Sequence, residues 1–229
     1  MGHVSDAPTL TIMVPTIGER RPLFERLMGV LLPQLDAHAG RVRVLSWWNN
    51  GKPPLTTIRQ EMLQAAGTEY VCCVDDDDLV PDYYVEELLA ALATRPDYVG
   101  FQVQCYSDGA PTAISYHSLE HGRWWNETDR YYRDFSHLNP IRTDLARLAD
   151  FRRAKRGQAE DRAWVAQLRR SRRVKTEVVI PRIMYHYLFS TSRTAGIGSR
   201  WAAGARAGEF EPAKIDHPYF SYLHGGPSD

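Results

Sequence analysis

The sequence holds few cysteines: three in 229 residues. Cys72 and Cys73 are adjacent and Cys105 stands alone, with no C-x-x-C pair and no Cys/His metal spacing. Neighbouring cysteines rarely bridge, so a reducing setting is expected. Nor does any segment approach the roughly 18 apolar residues of a membrane span. The opening MGHVSDAPTL has no apolar signal core, and Asp6 sits where the myristoylation pattern needs serine or threonine. A soluble, cytoplasmic protein without a transmembrane segment is expected. Net charge is also absent, since 28 basic residues balance 28 acidic ones, and it selects no partner.

The charges that are present are segregated. Residues 1–100 hold eight Lys/Arg against fourteen Asp/Glu, and residues 142–175 hold twelve against four. An acidic first half and a basic later stretch can build a cleft of mixed sign. With 43% hydrophobic residues the chain can bury a real core, as one large domain or two small lobes.

Periodicity organises the first half. LTIMVPT (Leu10–Thr16), RVRVLSWWNNG, YVCCV and YVGFQVQCY read as short strands. Between them, RPLFERLMGVLLPQL carries apolar residues at helical spacing, with Pro22 at its start and Pro33 weakening its last turn. TTIRQEMLQAAG reads as a helix capped by Thr56 or Thr57 and stopped at Gly67, and PDYYVEELLAALATRP as a third. Residues 10–106 thus read β-α-β-α-β-α-β, a mostly parallel sheet with helices on both faces. In such a sheet ligands bind beyond the C-terminal ends of the strands. The loops PTIGERR, WWNNGK and DDDD collect there. Residues 107–190 are rich in aromatics, histidine and arginine and suggest a smaller lobe. A short helix is expected from near Gln158, and EVVIPRIMYHYLF reads as strands around Pro181. Residues 191–229 read as a flexible or wrapping tail.

Four carboxylates follow the buried-looking YVCCV, from Asp75 to Asp78. Helix capping near Pro81 explains one or two of them, but adjacent like charges repel. A divalent cation on hard oxygen ligands, bridging to a phosphate, explains all four. In an extended segment Asp75 and Asp77 face one way and Asp76 and Asp78 the other. An EF-hand is excluded, because Leu79 occupies a ligand position and Val80 the glycine position. In AEDRAW, Glu160 and Asp161 open a helix; they either cap it or place a general base there. His186, in MYHYLF, is either a core histidine or a metal ligand. The basic runs RRAKRGQ and LRRSRRVK are either a solvated face or a contact for an anionic acceptor such as nucleic acid. GRWW and RYYR set aromatics beside arginine, for packing or for stacking on sugar or base rings.

Taken in order, TIMVPTIGERR, WWNNG, TTIRQEMLQAAGTEYVCCVDDDDLVPDYY and EDRAWVAQL resemble the inverting nucleotide-sugar glycosyltransferases of family two, with the GT-A fold. The resemblance covers residues 10–190. It implies one catalytic domain over 1–190, with a nucleotide-sugar half (8–106) and an acceptor half (107–190). HLNPIRTDLARL also looks like a subgroup among phage and bacterial transferases, which brings modified DNA into view as an acceptor. The resemblance further implies that Thr16 and Glu19 lie against the nucleotide and Asn49 faces the uracil or ribose. The family more often has aspartate at that turn. By the same resemblance Arg59 approaches the base or diphosphate, Asp75 and Asp76 contact the donor, and Asp75 and Asp77 ligate Mn²⁺ or Mg²⁺ with His186 completing the site. Asp161, beside Glu160, is the implied catalytic base. The implied donor is a UDP-sugar, and the acceptor is left open: a saccharide, a lipid-linked saccharide, a protein side chain or a hydroxymethylated DNA base. Two rival readings stand beside this one. A D-x-D phosphohydrolase also places its motif after an apolar strand, though there it opens the chain. A non-catalytic sugar- or nucleic-acid-binding module would keep the fold without the chemistry.

Overall fold

The computed structural model describes residues 9–38, 40–49, 53–155, 159–190, 212–224 and 226. The first half follows the expected alternation: β1 (Leu10–Ile17), α1 (Arg21–Ala37), β2 (Val42–Asn49), α2 (Leu55–Ala65), β3 (Tyr70–Cys73), α3 (Tyr84–Leu92) and β4 (Tyr98–Ser107). The second half adds β5 (Ala110–His117), β6 (Trp125–Asn126), β7 (Arg130–Arg133), β8 (Ile141–Arg142), α4 (Thr143–Ala146), α5 (Glu160–Ser171), β9 (Glu177–Phe189) and β10 (Phe220–Tyr222).

Alternation along the strands divides the core. Leu10, Ile12, Val14, Val42, Val44 and Cys72 pack on one face of the sheet with Phe24 and Leu27 of α1 and Leu88 of α3. Their neighbours Met13, Leu45, Trp47, Val71 and Cys73 pack on the other with Ile58 and Met62 of α2 and Trp164 and Leu168 of α5. Strands buried on both faces are predominantly apolar, and the buried polar residues Thr11 and Ser46 on them hydrogen-bond to the Thr68 hydroxyl and the Val14 carbonyl.

All ten strands form one sheet, in the order β10-β2-β1-β3-β8-β4-β5-β7-β6, with β9 also pairing β4. β2 and β3 flank β1 in parallel. β4 does not pair with β3: the two-residue β8 lies between them, antiparallel to both. A segment that short carries no periodicity to read. The strands of the second half therefore extend the same sheet. β10, from the stretch expected as a flexible or wrapping tail, pairs parallel with β2. Residues 191–211 lie outside the described residues.

Two local expectations differ. α2 starts at Leu55 after Pro54, so Thr56 and Thr57 sit inside its first turn and neither caps it. EVVIPRIMYHYLF is a single strand whose register against β4 shifts after Ile180. A bulge there leaves Pro181, which has no N–H to donate, outside the ladder.

Candidate active site

At the C-terminal ends of β1 and β3 a cavity of about 590 Å³ opens, and all four aspartates reach it. They sit in a turn closed by the Asp78 N–H donating to the Asp75 carbonyl at 3.2 Å. Asp76 and Asp78 are buried, whereas the side chains of Asp75 and Asp77 are 27% and 24% exposed. The run is thus a turn and not the extended segment expected, and burial, not opposite facing, sets Asp75 and Asp77 apart from Asp76 and Asp78.

The buried pair is held by the protein. Asp76 accepts from the Thr16 hydroxyl at 2.7 Å and from Arg20 at 2.8 Å. Burial pushes its carboxyl up to about 6, against the pull of Arg20. Asp78 accepts from the Tyr185 hydroxyl at 2.8 Å and the Leu188 N–H at 2.7 Å, and burial raises it well above the carboxylate range. Tyr185 also accepts from the Asp75 N–H at 3.0 Å, so β9 clamps the turn.

The open pair faces the cavity. Asp75 accepts from Arg59 at 2.6 Å, and its other oxygen lies 3.9 Å from His137. Burial opposes its ionisation, but Arg59 and His137 outweigh that and hold it well below the usual range. Asp77 lies 3.3 Å from Arg20. Arg59, 4% exposed, is a bridge: its other terminal nitrogen donates to Glu160 at 2.6 Å. It ties the aspartate turn to the start of α5, a sequence separation of 101 residues. Asp161 follows on the same first turn and also lines the cavity, its carboxylate accepting from the Arg162 N–H at 2.7 Å.

Of the residues expected at the site, Asp75, Asp76, Asp77, Arg59, Glu160 and Asp161 line this one cavity. Thr16, Glu19 and Asn49 do not. Thr16 is fully buried and directs its hydroxyl to Asp76. Glu19 lies in the 3-10 turn after β1. Asn49, 1% exposed, donates to the Pro53 carbonyl at 3.3 Å. His186, expected as the third metal ligand, is also not among the lining residues. Its bonds to the turn among the described residues are backbone bonds to Leu79, and its ring lies against Tyr106. Alternation explains this: Tyr185 and Tyr187 face the aspartates and the cavity, so His186 between them faces away. Among the described residues, no group of three or more His, Cys, Asp or Glu is arranged to hold a metal ion.

The sequence reading missed three participants, Arg20, His137 and Tyr185. Both ring nitrogens of His137 are buried with no hydrogen-bond partner. Its loop is fixed by a network two residues on. Asn139 donates to the Val99 carbonyl at 2.9 Å, so its oxygen must accept from His117 Nδ1 at 2.6 Å. His117 Nε2 then accepts from the Ser115 hydroxyl at 3.0 Å, the neutral tautomer. Burial pushes the His117 imidazole down to about 4 from 6.5. Its unfolded form therefore binds the proton first, so its contribution is complete above about pH 6.5 and is lost as pH falls toward 4. Urea unfolding of the wild type should lose about 3 kcal/mol more between pH 7 and 4 than the His117→Asn variant, at 1.36 kcal/mol per pKa unit. Equal losses would show that His117 does not titrate on unfolding.

The sequence profile described as glycosyl transferase family 2 matches residues 34–156, more than half of the chain. The chain belongs to glycosyl transferase family 2. No curated protein matches it by sequence. Among solved structures, S. aureus TarS residues 1–349 in complex with UDP is similar with a TM-score of 0.59 at 15% identity, over 85% of this chain and 64% of that one. The same protein in complex with UDP-GlcNAc gives 0.53 at 15% identity, over 79% and 58%. The longer S. aureus TarS structure gives 0.54 at 13% identity, over 85% and 39%. This chain thus spans less than two thirds of those it resembles. At such identity the likeness establishes the fold, the GT-A arrangement that the order of motifs led one to expect.

Proposed function

We propose that this family 2 chain moves a sugar from a UDP-sugar to an acceptor hydroxyl, with inversion and with Asp161 as general base. One observation carries the reading: a single cavity is lined both by the open carboxylates Asp75 and Asp77 and by Glu160 and Asp161 at the acidic start of α5. The complexes of the similar TarS with UDP and UDP-GlcNAc support the donor class.

The residues present fit a divalent cation. Magnesium is usually held by one or two carboxylates together with substrate phosphates, and needs no further protein ligand. Asp75 and Asp77 are hard oxygen donors with partly open side chains, and they would hold Mn²⁺ or Mg²⁺. When bound, the ion neutralises charge that develops on the departing diphosphate. In the transfer step the acceptor oxygen forms a bond to the anomeric carbon from the face opposite the leaving group. The bond from that carbon to the phosphate oxygen breaks, and UDP departs with the electron pair. The acceptor proton passes to Asp161. Glu160 suits this role less well, because Arg59 holds its carboxylate in an ion pair.

Thermal unfolding with UDP and Mn²⁺ tests the donor site. A ligand at 100 times its dissociation constant adds about 2.7 kcal/mol, which for a chain of this size raises Tm by roughly 5–10 °C. Asp77→Ala should abolish the Mn²⁺-dependent part of that shift. No shift with any nucleotide, with or without metal, overturns the reading.

A further inference from the structure

Beside the main cavity lies a second one of about 430 Å³, sharing Trp124 and Arg133 with it. Four arginines line it: Arg123, Arg133, Arg162 and Arg169. Only Arg169 among them has a carboxylate partner in the described structure, Asp134 at 2.6 Å. Arg133 hydrogen-bonds through Nη1 to the Trp125 carbonyl, the Asn126 side chain and the Tyr132 carbonyl. That anchors the guanidinium on the β6–β7 hairpin. Arg133 and Arg162 both lie against the ring of Trp124, at 5.0 and 5.6 Å from its centre. Burial, with the like charge of Arg162, works against the charge on Arg133. A cluster of cations lining one concavity calls for an anion. Arginine forks match phosphate oxygens, and charge-assisted bonds to them are the strong ones.

We propose that this pocket binds a phosphate group carried by the acceptor, so that the acceptor is a phosphorylated saccharide. The inference rests on the transferase reading above and names its acceptor class. The two cavities adjoin through Trp124 and Arg133, so one molecule can lay its hydroxyl near Asp161 and its phosphate among the arginines. Neither site of the reaction uses this pocket, since the donor carboxylates and Glu160 lie only in the larger cavity. The concavity favours a saccharide over nucleic acid. A nucleic-acid strand needs basic side chains spaced along a track that follows successive phosphates. Here they line one concavity.

The test is calorimetric binding of glucose 6-phosphate, glucose and a single-stranded oligonucleotide, each with UDP and Mn²⁺ saturating so that the donor site is filled. Glucose 6-phosphate should bind at least about tenfold tighter than glucose, the effect of one charge-assisted contact. Arg123→Gln combined with Arg162→Gln should remove that preference and leave UDP binding unchanged. Both side chains are exposed, so the variant should keep the wild-type Tm, which is measured alongside. Equal binding of the two sugars, or a preference that survives in the variant, overturns the phosphate site. An oligonucleotide that binds more tightly than glucose 6-phosphate and depends on the same arginines overturns the acceptor class. Failure of UDP to bind the wild type overturns instead the transferase reading beneath it.

Discussion

Asp161→Asn should lower the rate of sugar transfer by about 10²–10⁴-fold, the usual contribution of a positioned general base. The amide keeps the size and the acceptor oxygen of the carboxylate, so the bond from the Arg162 N–H, 2.7 Å in the wild type, is retained. UDP binding should stay unchanged, because Asp75 and Asp77, the carboxylates proposed for the donor side, are left intact. The effect should therefore fall on kcat and leave the UDP-dependent rise in Tm intact. Glu160→Gln is the informative partner. Glu160 is paired with Arg59 at 2.6 Å, and a carboxylate so held is a weaker base. Its variant should lose far less activity. Transfer by Asp161→Asn within about tenfold of wild type, with Glu160→Gln the slower of the two, would exchange the roles of these neighbours.

The second large effect is structural. Arg59→Met should destabilise the fold by about 3 kcal/mol, the lower end of what removing one partner from a buried ion pair costs. The arginine is 5% exposed and bridges Asp75 and Glu160, which are 27% and 23% exposed. Its pKa is raised because the two carboxylates outweigh its own burial. Methionine restores the volume of the stem but leaves both carboxylates with a lost partner. For a chain of this length that is roughly a 6–12 °C fall in Tm. Adding Glu160→Gln to Arg59→Met should recover part of the loss, since one of the two orphaned charges is then gone. Arg59→Lys should fall between, because a single ammonium cannot place two separate forks. A fall in Tm below about 2 °C for Arg59→Met would show that the bridge contributes little and that water replaces it.

The aspartate run draws both effects together. Two of its carboxylates, Asp76 and Asp78, serve the architecture and are satisfied by Thr16, Arg20, Tyr185 and a backbone N–H. The other two face the cavity. The cost of four adjacent like charges is met partly by the fold itself.

Much of this was legible from residue order alone. The alternation of short apolar strands with helices gave the layered α/β arrangement, because side-chain periodicity is a local property. The run from Asp75 to Asp78 and the pair Glu160–Asp161 could be picked out as chemistry, because carboxylates beside apolar segments have no packing reason to be there. Spacing could not say that Arg59 joins those two groups, since 101 residues separate it from Glu160. Neither could it bring Arg20 to Asp76, nor His137 to Asp75. His186 was chosen for its place in a strand, yet its direction depends on the facing of Tyr185 and Tyr187, which pairing with β4 sets. Thr16 and Asn49 sit at the right strand ends, but burial turns them to the protein's own polar groups. The two-residue β8, too short to show a pattern, separates β3 from β4. Local sequence determined which elements form and which residues carry charge. The pairing of strands far apart in the chain decided which of those charges meet, because contact between distant segments is a property of the packed sheet.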